Sequence, residues 1–212
     1  MFFAAVIFNL ILNASYVLRN DIHFSSEIAR DFFLLKELDY KKIVLIGPSS
    51  STGLFHGPLW SYLNYPAYKI GNGDPIIVGW FWVLLVVIFS ITNFYIGKKL
   101  FNELTGYFFT LMTSLYMVFH VNGFYNPHGA MLFIPSFFFF FIRYFETLKL
   151  KYLIIHILFL GAIIQFQMAI GIPFAILSFL AVLYLTIQKK KLKHIFSFGL
   201  IIALIGNFLI FD

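Results

Sequence analysis

One polar stretch organises the sequence: Arg19 to Pro75, which reads RNDIHFSSEIARDFFLLKELDYKKIVLIGPSSSTGLFHGPLWSYLNYPAYKIGNGDP. The rest of the 212 residues is almost entirely apolar. The stretch holds six of the nine acidic residues, which are Asp21, Glu27, Asp31, Glu37, Asp39 and Asp74. Ionisable side chains are costly inside a bilayer. We therefore expect any chemistry to be assembled in this stretch, at the membrane surface, with apolar helices as its support.

The composition is that of an integral membrane protein. Hydrophobic residues make up 61% of the chain and charged residues 11%, with a mean hydropathy of +0.89. In soluble domains, by contrast, roughly a quarter of the residues are charged. The sequence contains no cysteine, which excludes disulfide bonds, cysteine-ligated zinc and thiol catalysis.

Apolar segments predict the membrane-spanning helices, each of which needs roughly 17 to 25 residues. The segments are Phe2 to Val17, Ile76 to Ile96, Gly106 to Val121, Gly129 to Phe145, Tyr152 to Ala169, Ile172 to Ile187 and Ile195 to Phe211. The sequence therefore predicts an all-α, polytopic membrane helix bundle of about seven spans. It would form a single domain over residues 1–212, with a long outer first loop at 19–75.

The positive charges predict the orientation of the chain. Six basic residues balance the six acids of the polar stretch, so the formal net charge of +6 resides in three short connections. These carry Lys98 and Lys99; Arg143, Lys149 and Lys151; and Lys189, Lys190, Lys191 and Lys193. Basic connections stay in the cytoplasm. In a multi-pass protein of the plasma membrane, this places the N-terminus in the cytoplasm and residues 19–75 on the outer side of the membrane. Charge distributed in this way is a topology signal and not a nucleic-acid footprint.

The first apolar segment allows two interpretations. Asn9 and Asn13 interrupt it, and the small residues Ala14 and Ser15 are compatible with a cleaved signal peptide. We expect an uncleaved first span, because the polar stretch would otherwise lose its tether.

A first helix on the membrane surface is predicted early in the polar stretch, where Ser25 can act as its N-cap. Helical spacing places the apolar positions on one face and leaves the charged residues elsewhere. The apolar positions are Ile28, Phe32 and Leu35, and the charged residues are Glu27, Arg30 and Asp31.

A second surface helix is predicted to start at Pro58. It carries aromatic residues of the kind found at membrane interfaces, namely Trp60, Tyr62, Tyr65 and Tyr68. The turn from Gly47 to Gly53 lies between the two helices and lacks the lysine of a nucleotide-binding P-loop. We expect this turn to be a flexible connection.

Asp21 is the first candidate for chemistry, because it directly follows the first span, where a carboxylate can sit partly desolvated. It could act as a general base toward a hydroxyl, or bind a divalent metal if one takes part. Alternatively, it is a cap or an ion-pair partner of Arg19 or Arg30. The pair Arg30 and Asp31 is similarly ambiguous, since neighbouring charges on a surface helix are usually only solvated.

A phosphate site is predicted around His56, which lies just before the second surface helix. Free backbone N–H groups and the helix dipole favour an anion at such a position, and Lys69 could assist. The alternative is a loop histidine without a function. Gln165, near the outward end of the fifth predicted span, could hydrogen-bond a sugar or a neighbouring helix.

Taken together, these features resemble the GT-C membrane glycosyltransferases, in the branch that contains protein O-mannosyltransferases and lipid A aminoarabinose transferase. The matching pieces are Asp21, the Glu27-Ile28-Ala29-Arg30-Asp31 helix, the Gly47-Pro48 turn, His56-Gly57-Pro58-Leu59-Trp60-Ser61-Tyr62-Leu63, Gly73-Asp74-Pro75 and Tyr125-Asn126-Pro127. The resemblance covers nearly the whole chain. Because the family usually has more spans, we expect the chain to be a fragment, a split subunit or an inactive remnant of such an enzyme.

The resemblance implies that a sugar is moved from a polyprenyl-phosphate carrier to an acceptor lipid, glycan or protein of the cell envelope, at the outer membrane face. It implies that Asp21 is catalytic, by activating the acceptor or organising a metal, and that His56 and Arg30 contact the donor phosphate. Further candidates for binding the donor phosphate or sugar are Asp31, Lys69, Asn126 and Gln165. The alternative function is that of a non-catalytic transporter or accessory membrane subunit for lipid-linked sugars.

Overall fold

The structure, a computed structural model, describes residues 2–41, 43–50, 53, 55–120, 124–189 and 194–199. In this part of the chain the helices with defined bounds are α1 Phe2–Leu18, α2 Ser26–Lys41, α3 Leu59–Ile70, α4 Pro75–Leu100, α5 Glu103–His120, α6 Asn126–Thr147, α7 Leu150–Phe166 and α8 Met168–Gln188. Residues 194–199 are also helical. Among the described residues, β pairing is limited to an isolated bridge between Ser49 and Phe55.

The all-α prediction is confirmed for the described residues. Helices α1 and α4 to α8 lie on the first six predicted apolar segments, and α2 and α3 lie on the two predicted surface helices. Of the last predicted segment, residues 200–211 lie outside the described residues. Three helices of the described chain, α4, α6 and α8, are long and apolar enough to cross a membrane. Helices α1 and α7 are apolar but have only 17 residues each. The number of about seven membrane spans therefore stays a prediction.

The chain divides into two compact units. The first comprises Met1–Val44 and Ser61–Leu132, and the second comprises Leu45–Trp60 and Phe133–Asp212. Most of the predicted site residues belong to the first unit, namely Asp21, Arg30, Asp31, Lys69 and Asn126. The other two, His56 and Gln165, belong to the second.

In the first unit, α1 packs against α4 and α5, which lie closely side by side. The close approach depends on two glycines. A Cβ atom on Gly106 would lie 2.7 Å from the main-chain oxygen of Phe94, and one on Gly97 would lie 2.9 Å from the Cα atom of Gly106. Small residues at such contacts let helix backbones approach within a membrane, where apolar burial contributes little to helix association.

Asn9 and Asn13, the polar interruptions of α1, join this helix to α5. The Nδ2 atom of Asn9 donates to Ser114 Oγ at 3.0 Å, and that of Asn13 donates to the carbonyl oxygen of Met117 at 3.0 Å. Both asparagines are buried. Their amides therefore stabilise helix packing, which accounts for polar residues in an otherwise apolar helix.

In the second unit, His156 of α7 connects three helices. Its Nδ1 atom lies 3.0 Å from the carbonyl oxygen of Phe137 on α6, and its Nε2 atom lies 3.2 Å from Ser178 Oγ on α8. A carbonyl oxygen only accepts, so Nδ1 carries the proton and Nε2 accepts from the serine hydroxyl. The rings of Phe137 and Phe141 flank the imidazole at centroid distances of 4.3 and 4.4 Å. These contacts give His156 a structural role.

The polar stretch ends at the start of α4. Asp74 is the N-cap, since its Oδ1 atom accepts the N–H of Ile76 at 2.8 Å. Pro75 occupies the first turn, where its missing N–H has no helical partner to lose. The chain thereby enters its longest apolar helix through two local signals that the sequence carries.

Candidate functional site

Helix α2 forms where the sequence predicts it, and its apolar face is buried. Ser25 Oγ accepts the N–H of Ile28 at 3.3 Å, so the serine is the predicted cap. The predicted apolar positions Ile28, Phe32 and Leu35 are all buried, together with Leu38. Both predictions are confirmed.

The prediction for Asp31 is wrong, because this residue lies on the buried face and not away from it. Asp31 follows Ile28 by three residues and precedes Leu35 by four, so helical geometry places the three side chains on one side. Only 1% of the Asp31 side chain is exposed. A carboxylate is usually exposed, but the position of Asp31 in the helix places it among the buried apolar residues.

Arg30 is the ion-pair partner of Asp31. Its Nε and Nη2 atoms both donate to Asp31 Oδ1, at 2.9 and 2.6 Å. The other oxygen, Oδ2, is buried and accepts no hydrogen bond from the described residues. The Arg30 side chain itself is 40% exposed. A buried carboxylate thus anchors a cation that reaches the surface.

Burial dominates the ionisation of Asp31. It raises the pKa of this carboxyl from 3.8 to about 6, and the negative charge of Glu27 acts in the same direction. The hydrogen bonds and positive charge of Arg30 lower the pKa, but by less. The chain thus has a carboxylate at a position that disfavours its charged form. Ionisable groups with shifted pKa values of this kind are common at functional sites.

The residues just before α6 lie beside this pair. The ring of Phe124 is 5.4 Å from that of Phe32 on α2. Burial raises the pKa of Tyr125, and so do the charge of Glu27 and a hydrogen bond to it, while Asp31 contributes a further increase. We refer to Glu27, Arg30, Asp31 and Tyr125 as the α2 cluster. The cluster lies next to Asn126, which begins α6 and is buried.

Asp21 is exposed, and its main chain closes α1. Asn20 has a positive φ of 52°. The N–H of Asn20 donates to the carbonyl of Val17 at 3.0 Å, and that of Asp21 donates to the carbonyl of Tyr16 at 2.8 Å. This is a Schellman ending, with asparagine at the left-handed position. Asp21 is exposed within the described chain, and its partial desolvation beside the membrane stays a prediction.

The side chain of Asp21 makes no ion pair within the part of the chain that the structure describes. Arg19, one expected partner, donates through Nε to the carbonyl of Ser15 at 3.2 Å. Arg30, the other expected partner, is paired with Asp31. The carboxylate oxygens of Asp21 are consequently accessible to a hydroxyl group or a cation.

Lys69 does not present a free positive charge, because it is paired with Asp39. The Nζ atom of Lys69 lies 2.5 Å from Asp39 Oδ1, and the hydroxyl of Tyr65 donates to the same oxygen at 2.8 Å. These bonds lower the pKa of Asp39 and raise that of Lys69. The contacts attach α3 to α2, as does the pair of rings Phe32 and Tyr68, whose centroids are 5.8 Å apart. The predicted phosphate contact thus has a structural partner already.

His56 belongs to a short hairpin in the second unit. The N–H of Gly47 donates to the carbonyl of His56 at 3.0 Å, and the N–H of His56 donates to the carbonyl of Pro48 at 2.9 Å. The two ends of the segment are therefore hydrogen-bonded to each other, while residues 51 and 52 of the predicted flexible connection lie outside the described residues. Pro58 directly precedes α3, within one residue of the predicted helix start.

The structure brings His56 and Gln165 into the same part of the second unit. The N–H of Gly57 donates to the main-chain oxygen of Gln165 at 3.0 Å. A Cβ atom on Gly57 would lie 2.7 Å from the Cγ atom of Gln165. Any larger residue at position 57 would collide with the side chain of Gln165. A glycine in the sequence is compatible with such a close contact, but it does not identify the partner.

Two other features bear on ligand binding. A cavity of about 450 Å³ between α1, α4 and α5 is lined mainly by apolar side chains, with no charged residue, and does not suit a phosphate. No group of three or more histidine, cysteine, aspartate or glutamate side chains is placed to hold a metal within the described residues.

Comparison of the chain with protein-family models, with curated proteins and with solved structures gives no match. The geometry of the residues therefore has to support any functional assignment. The α2 cluster offers a surface-reaching guanidinium held by a buried carboxylate. An arginine that is fixed in this way is suited to an oxyanion such as phosphate.

Proposed function

We propose that the protein is a membrane glycosyltransferase of the GT-C type, which moves a sugar from a polyprenyl-phosphate carrier to an acceptor of the cell envelope. In this proposal about seven helices cross the plasma membrane, the N-terminus is cytoplasmic and residues 19–75 face outward. The observation that carries the proposal is the Arg30 side chain, 40% exposed and anchored by the buried Asp31. It offers a positive charge for the phosphate of the donor.

The chemistry requires a base for the acceptor and stabilisation of the leaving group. Asp21 removes the proton from the acceptor hydroxyl, and the oxygen attacks the anomeric carbon of the donor sugar. The bond between this carbon and the phosphate oxygen breaks, and polyprenyl phosphate leaves with the electron pair. Asp21 suits the first role because it is exposed and its carboxylate makes no ion pair within the described residues.

Arg30 stabilises the departing phosphate. Asn126, which adjoins the α2 cluster, is proposed to bind the sugar. Lys69 contributes less than expected from the sequence, because Asp39 neutralises its charge. A divalent metal, if one takes part, is proposed to bind at Asp21.

The test is sugar transfer from a prenyl-phosphate-linked hexose by membranes that contain the Asp21→Asn variant. We expect turnover to fall by about 10²- to 10⁴-fold, the range that general bases contribute. Asp74→Asn is the matched control, because asparagine is an equally good N-cap and the exposed carboxylate of Asp74 has no proposed role. Near-normal turnover of Asp21→Asn would remove this residue from the mechanism.

The alternative is a non-catalytic transporter or accessory subunit for lipid-linked sugars. A transporter needs polar residues along a path through its spans. Several polar residues of the apolar helices bond instead to a neighbouring helix, as Asn9 and Asn13 do, or to their own helix, as Ser90 does. This disfavours a transport path in the first unit. A purified protein that binds a prenyl-phosphate-linked hexose but never consumes it would support the accessory role.

A further inference from the structure

Arg30 and Asp31 form an ion pair whose two members have different surroundings. The Asp31 side chain is 1% exposed and the Arg30 side chain is 40% exposed. The Nε and Nη2 atoms of Arg30 both donate to Oδ1 of Asp31. Oδ2 is buried and accepts no hydrogen bond from the described part of the chain. The carboxylate of Asp31 is thus fixed in the interior of the unit, while the guanidinium of Arg30 is accessible. Oδ2 of Asp31 is the oxygen that can still take up a proton.

We propose that Asp31 is a positioning residue that holds Arg30 for the donor phosphate, and that binding of the phosphate is coupled to uptake of a proton by Asp31. This inference rests on the proposed function, because it assumes that Arg30 binds the donor. It adds that donor binding is pH-dependent and assigns the dependence to one carboxyl.

The coupling follows from competition for Arg30. A phosphodiester bound by the guanidinium shares its donors with Oδ1 and brings a second negative charge close to Asp31. A neighbouring like charge disfavours the ionised carboxylate, and burial already raises the pKa of Asp31 to about 6. A proton on Oδ2 relieves both effects. By linkage, the proton and the anion then strengthen the binding of each other.

The other charged and titratable groups around Asp31 are Arg30, Tyr125 and Glu27. Arg30 stays protonated at all relevant pH values. Tyr125 stays neutral, because burial and the charge of Glu27 raise the pKa of its phenol. Glu27 is exposed on the first turn of α2, and its contribution can be measured separately by substitution. The rings of Phe32 and Phe124 are apolar neighbours on the same side.

The test uses a prenyl-phosphate-linked hexose, a phosphodiester whose single negative charge is constant from about pH 5 to pH 8. Its binding to the full chain in detergent is measured by calorimetry in two buffers of different ionisation enthalpy, which counts the protons taken up. We expect affinity to fall about tenfold from pH 5 to pH 8, with proton uptake on binding. The variant Asp31→Asn should bind with little pH dependence and without proton uptake.

Two further variants keep the inference testable if Asp31→Asn is poorly folded. Arg30→Gln retains Asp31 and is expected to bind weakly and without proton uptake. Glu37→Gln removes an exposed carboxylate that pairs with Lys41 on the same helix, and is expected to behave like the wild type. A purely structural role for Asp31 would change stability but would not alter the proton count.

The possible outcomes separate the inference from the proposed function. If Asp31→Asn retains proton uptake, or if Glu27→Gln abolishes it, the inference is overturned, while sugar transfer by the wild type would leave the proposed function standing. If the wild-type protein binds the donor at no pH, both are overturned. Proton uptake that is lost in Asp31→Asn and retained in Glu27→Gln and Glu37→Gln would establish the coupling.

Discussion

The burial of Asp31 makes the stability of the fold depend on pH in an unusual direction. The pKa of this carboxyl is 3.8 in its ordinary state and about 6 in the folded protein. Between these values the folded state binds more protons than the unfolded state. The free energy of unfolding therefore decreases as the pH rises. The contribution of Asp31 is fully present below the unfolded pKa and is lost as the pH passes the folded pKa.

The size of the effect follows from the shift in pKa. One pKa unit corresponds to about 1.4 kcal/mol, so the rise from 3.8 to about 6 amounts to about 3 kcal/mol. Screening does not reduce this value much, because only 1% of the Asp31 side chain is exposed. Asp31→Asn keeps the shape of the side chain and removes its ionisation. We expect the loss of stability between pH 4 and pH 7.5 to be smaller in the variant by about 2 to 3 kcal/mol.

The assay is denaturant unfolding in detergent micelles across this pH range, followed by tryptophan fluorescence, since Trp60 and Trp82 are both buried. Comparing wild type with Asp31→Asn cancels the other titrating groups. One of these is Asp39, whose pKa is lowered by Lys69 and which therefore contributes stability of opposite pH dependence. Equal pH dependence in the two proteins would refute the reasoning, because it would mean that Asp31 does not titrate near pH 6.

Substitutions at three other positions test helix packing and capping in the first unit. Gly106→Val should destabilise the protein by about 1 to 3 kcal/mol, because a Cβ atom would lie 2.7 Å from the main-chain oxygen of Phe94; Gly106→Ala should cost less in the same denaturant assay. Ser25→Ala removes the acceptor for the N–H of Ile28 and should cost about 1 kcal/mol, whereas Ser25→Asp should not. Asn13→Leu removes a hydrogen bond to α5 and should cost about 0.6 kcal/mol, and a stabilised variant would contradict its packing role.

The helices could be predicted because their signals are local. An apolar run of spanning length, a serine cap and a proline at a helix start are all read within a few residues. The predicted segment Ile76 to Ile96 corresponds to Pro75–Leu100 in the structure. Positions on α2 also follow from spacing alone, which is why the burial of Phe32 and Leu35 could be predicted.

The site was less predictable, because its contacts join residues far apart in the chain. Lys69 and Asp39 are separated by 30 residues and meet only when α3 packs on α2. Gln165 meets Gly57 through a main-chain hydrogen bond, for which the side chain of glutamine gives no signal. Such pairings depend on how the helices assemble, and composition and periodicity carry no information about it.

Asp31 differs from these cases, because its position on the buried face of α2 follows from the sequence but its raised pKa does not. The spacing from Ile28 places it on the buried face, yet burying a carboxylate costs more than the pairing with Arg30 returns, as the direction of its pKa shift shows. In a helix selected for stability alone, a neutral side chain of similar volume would serve better at this position. The buried amides of Asn9 and Asn13, by contrast, are satisfied by α5 and stabilise the packing. Stability does not explain the buried charge of Asp31, and we propose that its function is to hold the accessible Arg30 for the donor phosphate.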